Sequence, residues 1–221
     1  MFDYSGYDTM NEELAILEFF SRPENLPLAL SVAEQMDKLR EQTNNRLWHE
    51  LHARLDALIR KHGLEWRVEL TEDKNSPECL VGLHCALSTD QSIYLRPMME
   101  QQFLGGEWRI YFGLIWSAAS SPGQLGLASV TKLKTSLQKA GYKSNENFLA
   151  WKWTAFHPRR RDFLLRYANH AEQLLEDVMA IFATLLIDNR EAIEQANHML
   201  KTSHPLGLSA SLEQLRDELL D

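Results

Sequence analysis

The sequence predicts an α+β fold: an antiparallel meander of about four to five strands, flanked by N-terminal and C-terminal helices. Three observations predict it. Apolar residues recur at helical spacing up to Ile59. They switch to strict alternation between Leu64 and Trp116, then return to helical spacing from Leu127. Helices, then strands, then helices build an α+β domain rather than alternating βαβ units.

The elements follow in order. Thr9, with Glu12 three residues on, has the pattern of a capping box for a first helix carrying Leu14 and Leu17. Pro23 and Pro27 interrupt it, and a second helix starts near Pro27 with Leu28, Val32, Met36 and Leu39 on one stripe. A strongly amphipathic helix carries Leu47, Leu51, Leu55, Leu58 and Ile59, and Gly63 is placed to stop it. Leu64, Trp66, Val68 and Leu70 alternate with polar residues, which predicts a half-buried strand. Glu72 to Pro77 reads as a turn. Cys79, Val81, Leu83, Cys85 and Leu87 share one face of a second strand. Ile93 and Leu95 predict a third, ended by Pro97. Gly105-Gly106 has hairpin composition, and Trp108, Ile110, Phe112, Leu114 and Trp116 mark the clearest strand. Short connections between these strands favour antiparallel pairing.

Ala118 to Gly126 reads as a loop, and Leu127 to Ala140 as a helix stopped by Gly141. Phe148 to Phe156 is a strand or an irregular element, broken by Pro158. A long helix follows from Phe163, its stripe running through Leu174, Val178, Phe182 and Leu185 and continuing more weakly to Leu200. Ser203 to Gly207 is a linker, and Ser211 with Gln214 caps a last short helix. Three regions result: an N-terminal helical segment at 1–46, an α+β core domain at 47–202, and a short C-terminal helix after a linker at 203–221.

Composition narrows the function classes. The chain has 221 residues, 44% of them hydrophobic, and a formal net charge of -8. No stretch approaches the ~20 apolar residues of a membrane span. Met1 to Asp8 lacks a basic and an apolar signal region, so a soluble cytoplasmic protein is expected. Cys79 and Cys85 are too few for a disulfide framework, and their spacing is too wide for a zinc pair. Both read as small buried hydrophobes. No phosphate-binding glycine loop, dinucleotide fingerprint, nucleophile elbow or HExxH helix occurs, which argues against the common enzyme classes and implies no cofactor.

Charge is segregated along the chain. The two ends are acidic, whereas 132–166 is basic, with Lys132, Lys134, Lys139, Lys143, Lys152, Arg159, Arg160, Arg161 and Arg166 against Glu146 and Asp162. The global charge opposes non-specific nucleic-acid binding, which rests on phosphate neutralisation, but a local patch can still bind. His157 and Arg159-Arg160-Arg161, beside Trp151, Lys152 and Trp153, form the most suggestive surface. Aromatics interleaved with arginine can stack bases and grip phosphates, or meet an acidic protein partner. They can equally be core residues followed by a helix start.

Two weaker constellations carry other chemistry. His49, His52 and Asp56 share one helix face, a metal-like spacing that lacks a converging third element. No metal is implied. Glu69, Glu72 and Lys74 would be the residues of a diverged magnesium-dependent nuclease, with Glu72-Asp73-Lys74 as its Glu-x-Lys triplet. The long C-terminal helix over 168–200 has an apolar stripe wide for a surface helix, which leaves a homodimer open.

The amphipathic helix before Leu64–Thr71, the run Glu107-Trp108-Arg109-Ile110-Tyr111-Phe112-Gly113-Leu114, and Asn147-Phe148-Leu149-Ala150-Trp151-Lys152-Trp153 before a long helix form a recognisable pattern. Over about 40–200 it resembles the region C-terminal to the nuclease core in some bacterial and phage-associated PD-(D/E)XK superfamily proteins of unknown function. The resemblance implies an accessory module without the catalytic core, and carries over no catalytic residue. The expectation is a non-enzymatic binding module for a protein or nucleic-acid partner. The alternatives are an acidic inhibitor or immunity-type protein against a nuclease or toxin, and the diverged nuclease.

Overall fold

The computed structural model describes residues 5–72, 81–87, 93–104 and 106–203. Helices α1 (Ser5–Ser21) and α2 (Leu26–Lys61) come first. Strands β1 (Trp66–Glu72), β2 (Val81–Leu87), β3 (Leu95–Leu104) and β4 (Glu107–Trp116) follow. Then come α3 (Pro122–Leu125), α4 (Ala128–Lys139), β5 (Phe148–Trp153), α5 (Arg161–Asp188) and α6 (Arg190–Ser203). The strands form one five-stranded antiparallel sheet in the order β1-β2-β3-β4-β5, so the expected α+β meander is observed. The chain divides into two compact units, 1–46 and 47–221, with the division inside α2. No helix among the described residues is long and apolar enough to cross a membrane.

The core lies on one face of the sheet. Val68, Leu83, Cys85, Leu95, Met99, Ile110, Phe112, Leu114 and Trp116 point into it. From α2, Leu47, Trp48, Leu51 and Leu55 meet them, and from α5, Leu174, Val178 and Phe182. The indole of Trp48 donates to the side-chain oxygen of the buried Gln101 at 3.1 Å, which satisfies both polar groups inside the core. Glycines close two helices. Gly63 and Gly141 have φ of +58° and +85°, which only glycine adopts without cost. Leu64 N–H bonds Ile59 C=O across the first, and Tyr142 N–H bonds Leu137 C=O across the second.

Four local expectations are corrected. α1 starts at Ser5, so Thr9 lies inside it rather than capping it. Pro97 does not end β3, which runs on to Leu104. Leu95 bonds away from β4, so by strand alternation Pro97 faces the same way, toward β2. The β2–β3 ladder starts only at Met98, so no pairing partner misses the proline's absent N–H. The expected loop after Ala118 contains the short helix α3, where Ser121 and Gln124 form a reciprocal capping box around Pro122. The single long C-terminal helix is two. Asn189 donates its side-chain amide to Leu185 C=O, the carbonyl its own N–H would need to continue the helix. α5 also carries non-helical angles at His170.

The apolar stripe that suggested self-association through 168–200 is buried in this chain's own core, at Leu174, Leu175, Val178, Phe182, Leu185, Leu186 and Ile193. Cys85 is free and fully buried, and burial pushes its thiol well above the ordinary range. Cys79, the segment 73–77 and the expected C-terminal helix lie outside the described residues.

Candidate functional site

Strand alternation that sends one set of side chains to the core sends the other set to the opposite face. Register then lines up neighbours across the sheet. Glu69 opposes His84, His84 opposes Met98, and Glu100 opposes Tyr111. Tyr111 opposes Trp153, and Gly113 opposes Trp151. Lys143 adds a bridge to the free edge of β5 at Trp151. This second face therefore carries Arg67, Glu69, His84, Arg96, Glu100, Arg109, Tyr111, Trp151, Trp153 and Lys143. Among the described residues, the helices send their core side chains to the other face.

The aromatic part of the face is one cluster. The Tyr111 ring lies edge-to-face with Phe148, Trp151 and Trp153, at centroid distances of 5.9, 6.3 and 5.3 Å. Trp151 and Trp153 meet at 5.6 Å. The Arg109 guanidinium sits 4.5 Å above Trp153, and the Lys143 ammonium 5.5 Å from Trp151. Cations over ring faces are held by the ring quadrupole and keep their charge at the surface. Gly113 makes room for the β5 backbone, since a Cβ there would lie 2.1 Å from Ala150 O.

The polar part is unusually placed for a sheet surface. The Tyr111 hydroxyl donates to the Glu100 carboxylate. Burial holds the Glu100 carboxyl above its usual range, against the opposing effects of the Tyr111 hydrogen bond and of Arg96. Burial, with Glu100 beside it, pushes the Tyr111 hydroxyl up as well. His84 is 8% exposed, and burial followed by the Arg96 charge lowers its pKa from 6.5 to about 4, while Glu69 acts in the opposite direction. It is therefore neutral at pH 7. His84 Nδ1, Arg96 Nε and Arg109 Nε are buried without a hydrogen-bond partner. Buried nitrogens of this kind are few in native structures, and similar atoms occur elsewhere in this chain at Arg40 Nε, Asn44 Oδ1, Trp116 Nε1 and Ser129 Oγ. Four cations stand on the face against Glu69 and Glu100, and Glu69 is bonded to Arg67.

The sequence-derived surface residues do not all meet here. Trp151 and Trp153 are on this face. Lys152 points the other way, with its ammonium 3.5 Å from Ala140 O and 5.7 Å from the Tyr142 ring. Arg159 lies 5.8 Å from both Phe103 and Trp108 at the core side of the β3–β4 end. His157 Nδ1 is 3.0 Å from Glu107, and Arg160 is 3.6 Å from the same carboxylate. Arg161 is exposed at the start of α5. The arginines are thus divided among separate surroundings rather than gathered around the tryptophans. Sequence reasoning missed Arg109 and Tyr111, although the alternation of β4 places them together opposite Trp108 and Ile110. It also missed His84, Arg96 and Glu100, whose meeting depends on register.

Of the metal-like set, Asp56 pairs with Arg60 at 2.6 Å, and His49 is exposed on α2. No group of three or more His, Cys, Asp or Glu among the described residues could hold a metal ion. Glu69 lies on this second face; the Glu72 side chain, Asp73 and Lys74 are outside the described residues. A polar cleft of about 400 Å³ between Trp66, Leu87 and α6 is lined by Arg190, Glu194 and Lys201. There Arg190 is occupied by Glu194 and by His62 C=O, at 2.8 and 3.1 Å. No family model matches the chain, and no curated protein or solved structure matches it.

Proposed function

We propose that the protein is a non-enzymatic binding module that takes a single-stranded nucleic-acid segment on the β4–β5 part of the second face of its sheet. The observation that carries this reading is the Tyr111–Trp151–Trp153 cluster with Arg109 and Lys143 over its rings. Aromatic platforms stack bases without sequence preference, and adjacent cations track the backbone. The Arg109 and Lys143 charges over the rings supply the cations that would meet phosphates beside stacked bases. The chain charge of -8 disfavours broad duplex binding, which leaves a local, stacking-driven mode. The resemblance to regions that follow PD-(D/E)XK cores adds a role, an accessory module working beside a nuclease core.

Fluorescence anisotropy with labelled single- and double-stranded oligonucleotides tests this, at low and physiological salt, with Mg²⁺ present and products run on a gel. Single strands should bind in preference. Trp153→Ala should weaken binding by about 5–150-fold, the range of one lost base stack at ~1–3 kcal/mol. Arg109→Ala should also flatten the salt dependence, by ~0.7 of a slope unit if one phosphate contact is lost. Binding that ignores Trp153 but falls on replacing Arg159, Arg160 and Arg161 would move the interface to the other side of the sheet. Cleavage would instead favour the nuclease, and no binding at either salt a protein partner.

A further inference from the structure

We infer that the N-terminal helical unit pairs with the same unit of a second copy of this chain. None of the residues 11–43 is buried. Nine of the twelve exposed large apolar side chains among the described residues lie between Leu14 and Leu39. The 47–203 part of the chain, by contrast, buries its apolar residues in one continuous core. Isolated helices shorter than about 12–15 residues are marginal in water, and in proteins longer ones too draw most of their stability from packing an apolar face. Among the described residues this unit keeps large apolar side chains about half exposed on both helices.

The distribution of those faces indicates the occupant. At 100° per residue, Leu28, Val32 and Leu39 form one stripe of α2, and Leu26 and Leu30 form another on the opposite side. All five are 46–57% exposed. A helix that is apolar on both sides takes a neighbour on each, as in a bundle. α1 adds Leu14, Leu17 and Phe19, equally uncovered. Two copies supply four such helices, enough to give each helix two neighbours.

Area and charge agree with this. Nine side chains about half exposed leave roughly 700–900 Å² of apolar surface per chain, close to the ~800 Å² each partner gives to a standard interface. A two-fold interface must be self-complementary. α1 carries Asp8, Glu12, Glu13 and Glu18 and no basic residue, while in the 26–46 part of α2 Lys38, Arg40 and Arg46 are balanced by Glu34, Asp37 and Glu41. Pairing that sets the acidic α1 of one copy against the charge-balanced 26–46 of the other, rather than against the other α1, avoids placing two acidic helices side by side. This inference does not rest on the sheet-face reading, and either can fail alone.

Velocity sedimentation of the full chain over about 1–100 μM tests it, since a Kd in this range is what such an interface supports at its weak end. The expected species is a dimer. Replacing Leu17, Leu28 and Leu39 together with Glu should raise the dimer Kd by at least about 100-fold. Because all three are exposed in the single chain, the near-ultraviolet signal of the Trp-rich core should stay as in the parent. Amide exchange over 11–43 should slow with protein concentration in the parent and not in the variant. A parent that is monomeric throughout overturns the inference, as does a dimer that survives the triple substitution. Protection of 11–43 that is independent of concentration also overturns it, since the unit would then be covered from within its own chain.

Discussion

Asn197 substitutes for a missing strand, and its removal should be costly. β2 and β3 pair only from Val81–His84 to Met98–Gln101, so the backbone of Leu95 has no ladder partner on the β2 side. Asn197 of α6 fills that position from its side chain. Its oxygen accepts from Leu95 N–H at 2.8 Å, and its amide donates to Leu95 C=O at 2.9 Å. Leu95 is fully buried and Asn197 is 5% exposed, so water does not replace these bonds easily. In Asn197→Ala, a buried donor and a buried acceptor each lose their partner, at ~1–3 kcal/mol apiece. Partial relaxation offsets some of this, and a loss of about 3 kcal/mol is expected. For a chain of this size that is a fall in melting temperature of about 6–12 °C.

Urea unfolding followed by tryptophan fluorescence measures the loss, with amide exchange at Leu95 as the local readout. Asn197→Asp refines the test. A carboxylate keeps the acceptor for Leu95 N–H but faces Leu95 C=O without a donor. Asn197→Asp should therefore be as unstable as Asn197→Ala near neutrality and recover part of the gap in acid, where the protonated carboxyl can donate. A loss below about 0.5 kcal/mol in Asn197→Ala, within the range of ordinary surface substitutions, would refute the reasoning.

Two further outcomes follow from the second face of the sheet. His84 is held neutral in the folded protein, with its pKa lowered from 6.5 to about 4, so the unfolded chain binds the extra proton first as pH falls. Its contribution to stability is complete above 6.5 and is lost as pH drops toward 4, a change of roughly 2 kcal/mol after solvent screening. Urea midpoints at neutral and acid pH should fall less in His84→Gln than in the parent, and parallel falls would sink the idea. Gly113→Ala would set a Cβ 2.1 Å from Ala150 O and 2.8 Å from Trp151 Cα, both backbone atoms. Such overpacking should cost at least about 3 kcal/mol and disturb the tryptophan cluster, whereas a neutral thermal scan would contradict the β4–β5 register.

The sequence by itself determined the succession of helices, then strands, then helices, because period is local. The alternation from Trp108 to Trp116 identifies β4, the stripe from Leu47 to Ile59 identifies the buried part of α2, and Gly63 and Gly141 mark helix ends that only glycine completes. It also contains the box at Ser121 and Gln124, hidden within a loop-like cluster of serine, proline and glycine. The passage of β3 through Pro97 was not legible, since a proline is tolerated or not according to whether a neighbouring strand requires its N–H.

Only the tertiary structure decided the site. Trp151 and Trp153 lie far along the chain from Arg109 and Tyr111, and a slip of one residue between β4 and β5 would send the tryptophans to the core. Arg159 to Arg161 are neighbours in sequence but part company in space, because the chain turns there from strand to helix and its side chains leave in different directions. Likewise, His84 is neutral because neighbouring strands bury it and set Arg96 beside it. Side-chain period is written in the chain, whereas register, burial and the field of distant charges exist only once the sheet has closed over its core.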